Sequence, residues 1–203
     1  SQRWLGPHGH IAIYPVRRGE LINFVAHYES DAWTGESWTQ EADPVELENV
    51  YARWNESVRT ILRSGGRIYK WALFDRDPLP QWGNGPLSLL GDAAHPMLPY
   101  LAQGAGMSLE DACVLAKMLD EQPDKPEQAL RNYERLRMPR TRDVQLGSRA
   151  RARENHLASP LSRLRRDFVT ALRTRFFPDK THDGVGWIYD YDVAALPEGT
   201  AYS

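Results

Sequence analysis

"LLGDAAHPMLPYLAQGAGMSLEDACVLAKML", residues 89–119, sets an apolar run, a Gly-Asp pair, a His-Pro pair, a glycine-spaced turn and a helix in immediate succession. Leu87 to Leu90 reads as a short strand buried on both faces, because every residue but Ser88 is apolar. Such a strand ending in Gly91-Asp92 places one carboxylate at the carboxyl edge of a sheet. Gly104, Ala105 and Gly106 then open a helix, and their small side chains let the backbone approach a flat ligand while the first N–H groups remain open to an acceptor. Glu110 and Asp111 fall in its first turns, where they complement the helix dipole. Met107, Leu109, Ala112, Leu115, Met118 and Leu119 are predicted as its inner face. A carboxylate beside open amides suits a polyhydroxylated chain joined to an electron-accepting ring, a description that a ribityl-flavin meets.

Working outward, His10 to Val16 and Leu21 to His27 alternate as two strands, with Arg17 to Glu20 as the hairpin turn between them. Asp43-Pro44-Val45-Glu46 reads as a helix start, and Leu47, Val50, Tyr51, Trp54, Val58, Ile61 and Leu62 continue at helical spacing until Gly65 and Gly66 stop the helix. Arg67 to Phe74 alternates again and is predicted to pair with the first two strands. Asp75 to Pro86 is a proline- and glycine-rich crossover. Downstream, Pro126 opens a helix carrying Leu130, Tyr133 and Leu136, and Pro139 is expected to bend or end it. One or two further helices should cover Arg140 to Phe177, and the aromatic tail from His182 should wrap the surface rather than form a helix. The fold class is α+β, with a mostly antiparallel sheet covered by a helix, then a strand-loop-helix, then C-terminal helices.

The 203 residues suffice for one large domain or two small ones. A net charge of -2 argues against nucleic acid and against an anionic membrane surface, even though arginines crowd the span from Arg131 to Arg175. Those arginines alternate with Leu, Glu and Asp as a solvated helix face does. The single cysteine, Cys113, excludes an intrachain disulfide and suits a cytoplasmic location. Six histidines are scattered without metal-ligand spacing. The partner expected is a small molecule.

The segment "GDAAHPMLPYLAQGAGMSLEDA" resembles the second flavin-binding motif of the single-component FAD-dependent aromatic hydroxylases, the family of p-hydroxybenzoate, salicylate and 3-hydroxybenzoate hydroxylases. "YERLRMPRT", Tyr133 to Thr141, resembles the helix that follows it, and "GPHGHIAIYPV" resembles a substrate-domain strand of the salicylate and 3-hydroxybenzoate branch. The family's GxGxxG unit, which holds the ADP half of FAD, and its later Asp-Gly motif do not occur in these residues. The chain is therefore read as the carboxyl-terminal half of such an enzyme, one that begins inside a larger protein and binds FAD weakly or not at all alone. The parts would be a substrate-binding sheet portion over 1–85, an FAD-contacting strand-loop-helix over 86–122, and a C-terminal helical region and tail over 123–203. All three would belong to a p-hydroxybenzoate hydroxylase-like FAD/NAD(P)-binding fold.

By this resemblance Asp92, at the end of Gly91-Asp92, would hold the ribityl hydroxyls of FAD. Gly104, Ala105 and Gly106 would face the pyrimidine edge of the ring, and Pro96 and Pro99 would shape the loop where oxygen adds as a C4a-hydroperoxide. Gln103 resembles a substrate-contacting glutamine. His10 resembles a histidine that removes the phenolic proton, a task suited to a pKa near 6.5, and Tyr14 would line the same pocket. His95 is read as structural. The implied activity is NAD(P)H-dependent and O2-dependent hydroxylation of a small aromatic substrate, a phenolic acid such as salicylate or a hydroxybenzoate. Two alternatives stay open: a hydroxynicotinate-type heteroaromatic hydroxylase, and a noncatalytic binding module lacking the ADP-binding half. Whether the C-terminal helices join two copies in a homodimer is also open.

Overall fold

The computed structural model of the chain describes residues 1–30, 37, 39–177 and 185–195. They form two compact units, Ser1–Leu73 with Arg153–Val169, and Phe74–Ala152 with Thr170–Ser203. The α+β class is borne out.

The first unit is a three-stranded antiparallel sheet, β1 (Gln2–Gly6), β2 (Gly9–Val16) and β3 (Leu21–Tyr28), with β2 in the centre. Arg17–Gly19 turns β2 into β3 through positive φ angles at all three residues. Strand alternation sends Ile11 and Ile13 into a core with Tyr51, Val58 and Leu62, and sends His10, Ala12 and Tyr14 to the opposite face. The third strand is not the predicted Arg67 to Phe74, which joins no sheet among the described residues and forms an isolated bridge between Tyr69 and Glu41. β1 takes that edge of β2 because a two-residue turn closes at far less entropic cost than a connection of tens of residues.

The covering helix is also two rather than one: α1 (Pro44–Val50) and α2 (Glu56–Arg63). Asp43 caps α1 as expected, accepting from Val45 N–H at 2.8 Å. Asn55 interrupts the helical spacing by accepting from Ser57 N–H at 2.9 Å, the local bond with which short polar side chains start helices rather than extend them. The break lets Trp54 lie flat on β1. Its ring sits 2.5 Å from where a Cβ of Gly6 would be, so only glycine allows the approach.

In the second unit β4 (Gly83–Asn84) and β5 (Leu87–Ser88) form a small hairpin. The expectation of a strand buried on both faces fails here: Leu87 is 73 % exposed and Leu89 and Leu90 are also exposed. The long helices are α3 (Gly104–Glu121), α4 (Pro126–Asn155) and α5 (Pro160–Phe176), and a short α6 (Gly186–Tyr189) lies in the tail. The tail was expected to lack helix, and α6 corrects that in its described part; 182–184 and 196–203 lie outside the described residues.

Pro139 neither bends α4 to an end nor breaks it. Tyr133 and Arg137 before it, and Val144 and Ser148 after it, are all buried, so both halves of the helix are packed. The Thr141 hydroxyl also donates to the Arg137 carbonyl at 3.0 Å, occupying an acceptor near the proline. The core gathers Trp82, Ala94, Val114, Met118, Ala129 and Tyr133.

Candidate functional site

The buried face of α3 is Met107, Asp111, Val114 and Met118, at spacings of four, three and four. Leu109, Ala112 and Leu119, predicted inside, are exposed, Leu109 at 70 %. Asp111 therefore does not serve the helix dipole. It lies past the first turn, 0 % exposed, at the centre of an ion network. Its Oδ2 is 2.5 Å from His95 Nε2 and accepts from Gly91 N–H at 3.1 Å, while its Oδ1 accepts from Arg137 Nε at 2.7 Å. Burial alone would raise the Asp111 carboxyl, but hydrogen bonds from His95 and Arg137 outweigh it and hold the group below the ordinary carboxylate range.

The network extends outward. Arg137 Nη1 lies 2.7 Å from Glu110 Oε2, an ion pair without hydrogen-bond alignment, and Arg140 grips both Glu110 oxygens at 2.7 and 2.8 Å. Arg140 also lies 3.9 Å over the Tyr191 ring and donates to the Ile188 carbonyl at 2.8 Å, tying the tail to α4. A charged residue in register with an apolar helix face was the signal for Asp111, since an interior charge needs a partner. Arg137 carries no comparable signal, because it is one of many arginines.

This network positions the turn that carries Asp92. Gly91 has φ +60, and a Cβ there would meet Ser108 Oγ at 2.8 Å, so glycine is required on both counts. With Gly91 N–H tied to Asp111, the 3-10 turn Gly91–Ala93 presents Asp92 outward as an exposed carboxylate. A Cβ on Gly104 would lie 3.9 Å from Asp92 Oδ1, which places the carboxylate beside the start of α3. The first helical bond runs from Met107 N–H to the Gln103 carbonyl at 2.8 Å, so the amides of Gly104, Ala105 and Gly106 precede it, and Gln103 supplies no side-chain cap.

Pro99 is exposed in a 3-10 turn, and Ala102 takes a left-handed φ of 53° just before Gln103. The loop is secured from α4: Gln145 donates to the Pro96 carbonyl at 2.9 Å and Ser148 to the Leu98 carbonyl at 2.5 Å. Asp92, Pro99, Gln103, Gly104, Ala105 and Gly106 are thus gathered on one unit. An acceptor carboxylate next to open amide donors fits a ligand with both hydroxyls and ring acceptors, as FAD has. An open depression lined by Gln81, Trp82, Gly83, Asn84, Leu87 and Leu89 lies on the β4–β5 hairpin and includes none of the predicted residues.

His10 and Tyr14 belong to the first unit. His10 is 4 % exposed, stacks on His27 with centroids 4.4 Å apart, and has Nδ1 2.8 Å from His156 Nε2. Burial first, then His27, His156 and Arg3, pull its pKa down to about 3, which corrects the expected value near 6.5. His10 is a neutral imidazole at physiological pH. Tyr14 lies on the same strand face, exposed. His27 and His156 were not singled out from the sequence, where they sit 17 and 146 positions from His10. Among the described residues no cluster has the make-up of a metal site, and no helix is long and apolar enough to cross a membrane.

Known proteins give this arrangement its context. Residues 4–147 match the family described as FAD binding domain. The chain is 42 % identical over 195 residues to a 3-amino-4-hydroxybenzoate 2-monooxygenase of Streptomyces platensis, an alignment covering 95 % of this chain and 47 % of that protein. It is 36 % identical to a 3-hydroxybenzoate 6-hydroxylase of Aquipseudomonas alcaligenes, covering 95 % of this chain and 59 % of that one. Among solved structures, a salicylate hydroxylase substrate complex superimposes with a TM-score of 0.80 at 32 % identity, over 96 % of this chain and 47 % of the other. The chain spans about half the length of these relatives. The family match over most of the length shows that the chain belongs to the FAD binding domain family, and the relatives it resembles are named as aromatic-acid monooxygenases and hydroxylases.

Proposed function

We propose that the protein containing this chain is an NAD(P)H- and O2-consuming FAD monooxygenase that hydroxylates a phenolic acid of the salicylate or hydroxybenzoate type. The observation that carries the reading is the exposed Asp92 carboxylate beside the open first turn of α3, in a chain of this family. FAD, when bound and reduced, supplies the activation of O2. Asp92 would hold its hydroxylated chain, and the amides of Gly104, Ala105 and Gly106 would favour negative charge at the ring edge. Gly91 and Pro99 would keep the loop in shape, and Gln103 would meet the substrate.

In the first unit, neutral His10 would accept the phenolic proton, which makes the ring more nucleophilic, and Tyr14 would line its surroundings. The names of the relatives support a phenolic acid over a nitrogen heterocycle, since each denotes a benzene ring bearing both a hydroxyl and a carboxylate. The missing partner of this site would be an N-terminal dinucleotide-binding half.

The test is Asp92→Ala in the full-length protein. Flavin retained after gel filtration should fall at least tenfold, while thermal unfolding of the flavin-free form stays unchanged. Undiminished flavin content would overturn the assignment. Oxidation of NAD(P)H should be stimulated by salicylate or 3-hydroxybenzoate more than by hydroxynicotinate; the reverse order would move the substrate class to heteroaromatics.

A further inference from the structure

Arg140 on α4 holds the described part of the tail. The last carbonyls of a helix lack partners inside it, and at the end of α6 Arg140 answers two of them. It donates from Nη1 to the Trp187 carbonyl at 3.1 Å and from Nη2 to the Ile188 carbonyl at 2.8 Å. The centroid of the Tyr191 ring lies 3.9 Å from the guanidinium carbon of Arg140 and 5.7 Å from that of Arg137, so one aromatic side chain covers both cations. Ile188 is buried, and Val193 packs against the core of the same unit.

The same Arg140 guanidinium binds Glu110 on α3 through Nε at 2.7 Å and Nη2 at 2.8 Å, and Glu110 also lies 2.7 Å from Arg137 Nη1. Arg137 Nε donates to Asp111, and Asp111 accepts from the N–H of Gly91, the residue before Asp92. An unbroken series of charged and hydrogen-bonded contacts thus leads from the tail to the turn that presents Asp92. The side chains of Arg140 and Glu110 are only 9 % and 16 % exposed. Ion pairs sheltered in this way are screened far less than those open to water, so the pairing is strong while its cover stays in place.

We propose that the tail segment 187–191 is a latch for the flavin turn, with Tyr191 and Arg140 as positioning residues: docked on Arg140, it fixes Glu110 and Arg137, through them Asp111 and Gly91, and so holds Asp92 where FAD binds. The proposal rests on the reading that Asp92 holds FAD. Without the Tyr191 ring, water reaches Arg140 and Arg137 and competes for Glu110. Arg137 then loses its outer carboxylate, and Asp111 is held by a guanidinium free to shift. Tail and flavin bias the same turn, so the coupling is reciprocal: a docked tail tightens FAD binding, and bound FAD tightens the tail.

The experiment titrates the full-length apoprotein with FAD, followed by flavin fluorescence, beside thermal unfolding of the flavin-free forms. Tyr191→Ala and Arg140→Lys should each weaken FAD binding about fivefold or more. The first removes the aromatic cover, and the second removes the fork that joins Glu110 to the tail carbonyls. Tyr191→Phe keeps the ring and should bind FAD within about twofold of the unaltered protein. If Tyr191→Ala lowers the melting temperature of the flavin-free form yet leaves FAD affinity unchanged, the contact is plain packing and the latch is overturned. A second measurement needs no variant: at short labelling times, where local opening sets exchange, FAD should raise amide protection in 187–191. No rise there would also overturn the latch. Asp92→Ala separates the two readings. If it binds FAD as tightly as the unaltered protein, the flavin assignment falls and the latch with it; if it loses FAD while Tyr191→Ala does not, only the latch is overturned.

Discussion

The two units bury ionisable groups in opposite ways. In the second, Asp111 and Arg137 are both fully buried and paired with each other, Asp111 also with His95 and the Gly91 N–H and Arg137 with Glu110. In the first, His10, His27 and His156 lie together and are all shifted toward the neutral form by burial. A paired charge holds a shape, because losing either partner strands the other in a low-dielectric interior. A neutral imidazole cluster can exchange protons, because little charge is stored in it. The lesson is that one interior is held by paired charge at the Gly91 turn, while the other avoids charge by keeping its imidazoles neutral.

The largest way to break this contrast is Asp111→Ala, which leaves the buried Arg137 guanidinium without its fully buried counter-ion and with Glu110 as its remaining carboxylate among the described residues. A loss of about 3–5 kcal/mol is expected, read from urea unfolding, whereas Asp111→Leu with Arg137→Met should cost less than the single change. A loss below 1 kcal/mol from Asp111→Ala would mean that the network does not hold the fold.

Acid should separate the units next. His10 and His27 have folded pKa values of about 3 and 4, below their unfolded value near 6.5. Between those limits the unfolded chain binds more protons, so stability of the first unit falls as pH drops below 6.5 and stops falling near 3. Asp111 has a depressed pKa, so its contribution is complete above the ordinary carboxylate pKa of about 4 and is lost only as pH falls through the folded value. Amide protection factors, which allow for the intrinsic slowing of exchange in acid, should therefore fall in β2 and β3 between pH 6.5 and 4.5 while those of α3 hold. Equal loosening of α3 in that window would refute the contrast.

Smaller changes sharpen it. Gly91→Ala adds a strained φ and a Cβ clash with Ser108, an expected cost of about 1–3 kcal/mol. Ser108→Ala should recover the clash but not the strain, and full recovery would show that the left-handed turn is unimportant. Asn55→Ala removes the cap of α2, with an expected loss of about 1 kcal/mol by thermal unfolding. A change in Tm indistinguishable from zero would mean that Trp54, rather than the cap, sets the helix break.

Much of this was legible before any coordinates. The glycine-spaced start of α3, the Asp43 cap and the Arg17–Gly19 turn follow from bonds made within a few residues, which the local sequence determines by itself. The FAD family was likewise readable from one dense segment. Tertiary structure alone decided the partner of β2, where the short turn to Gln2–Gly6 outweighs the alternation of the distant Arg67 to Phe74. It decided the continuity of α4 through Pro139, where packing on both sides outweighs one missing bond. It also turned Asp111 from a dipole residue into the centre of a network, and His10 from an ordinary titrating histidine into a neutral one. Burial and long-range partners control a charge, and neither is written in the residues beside it.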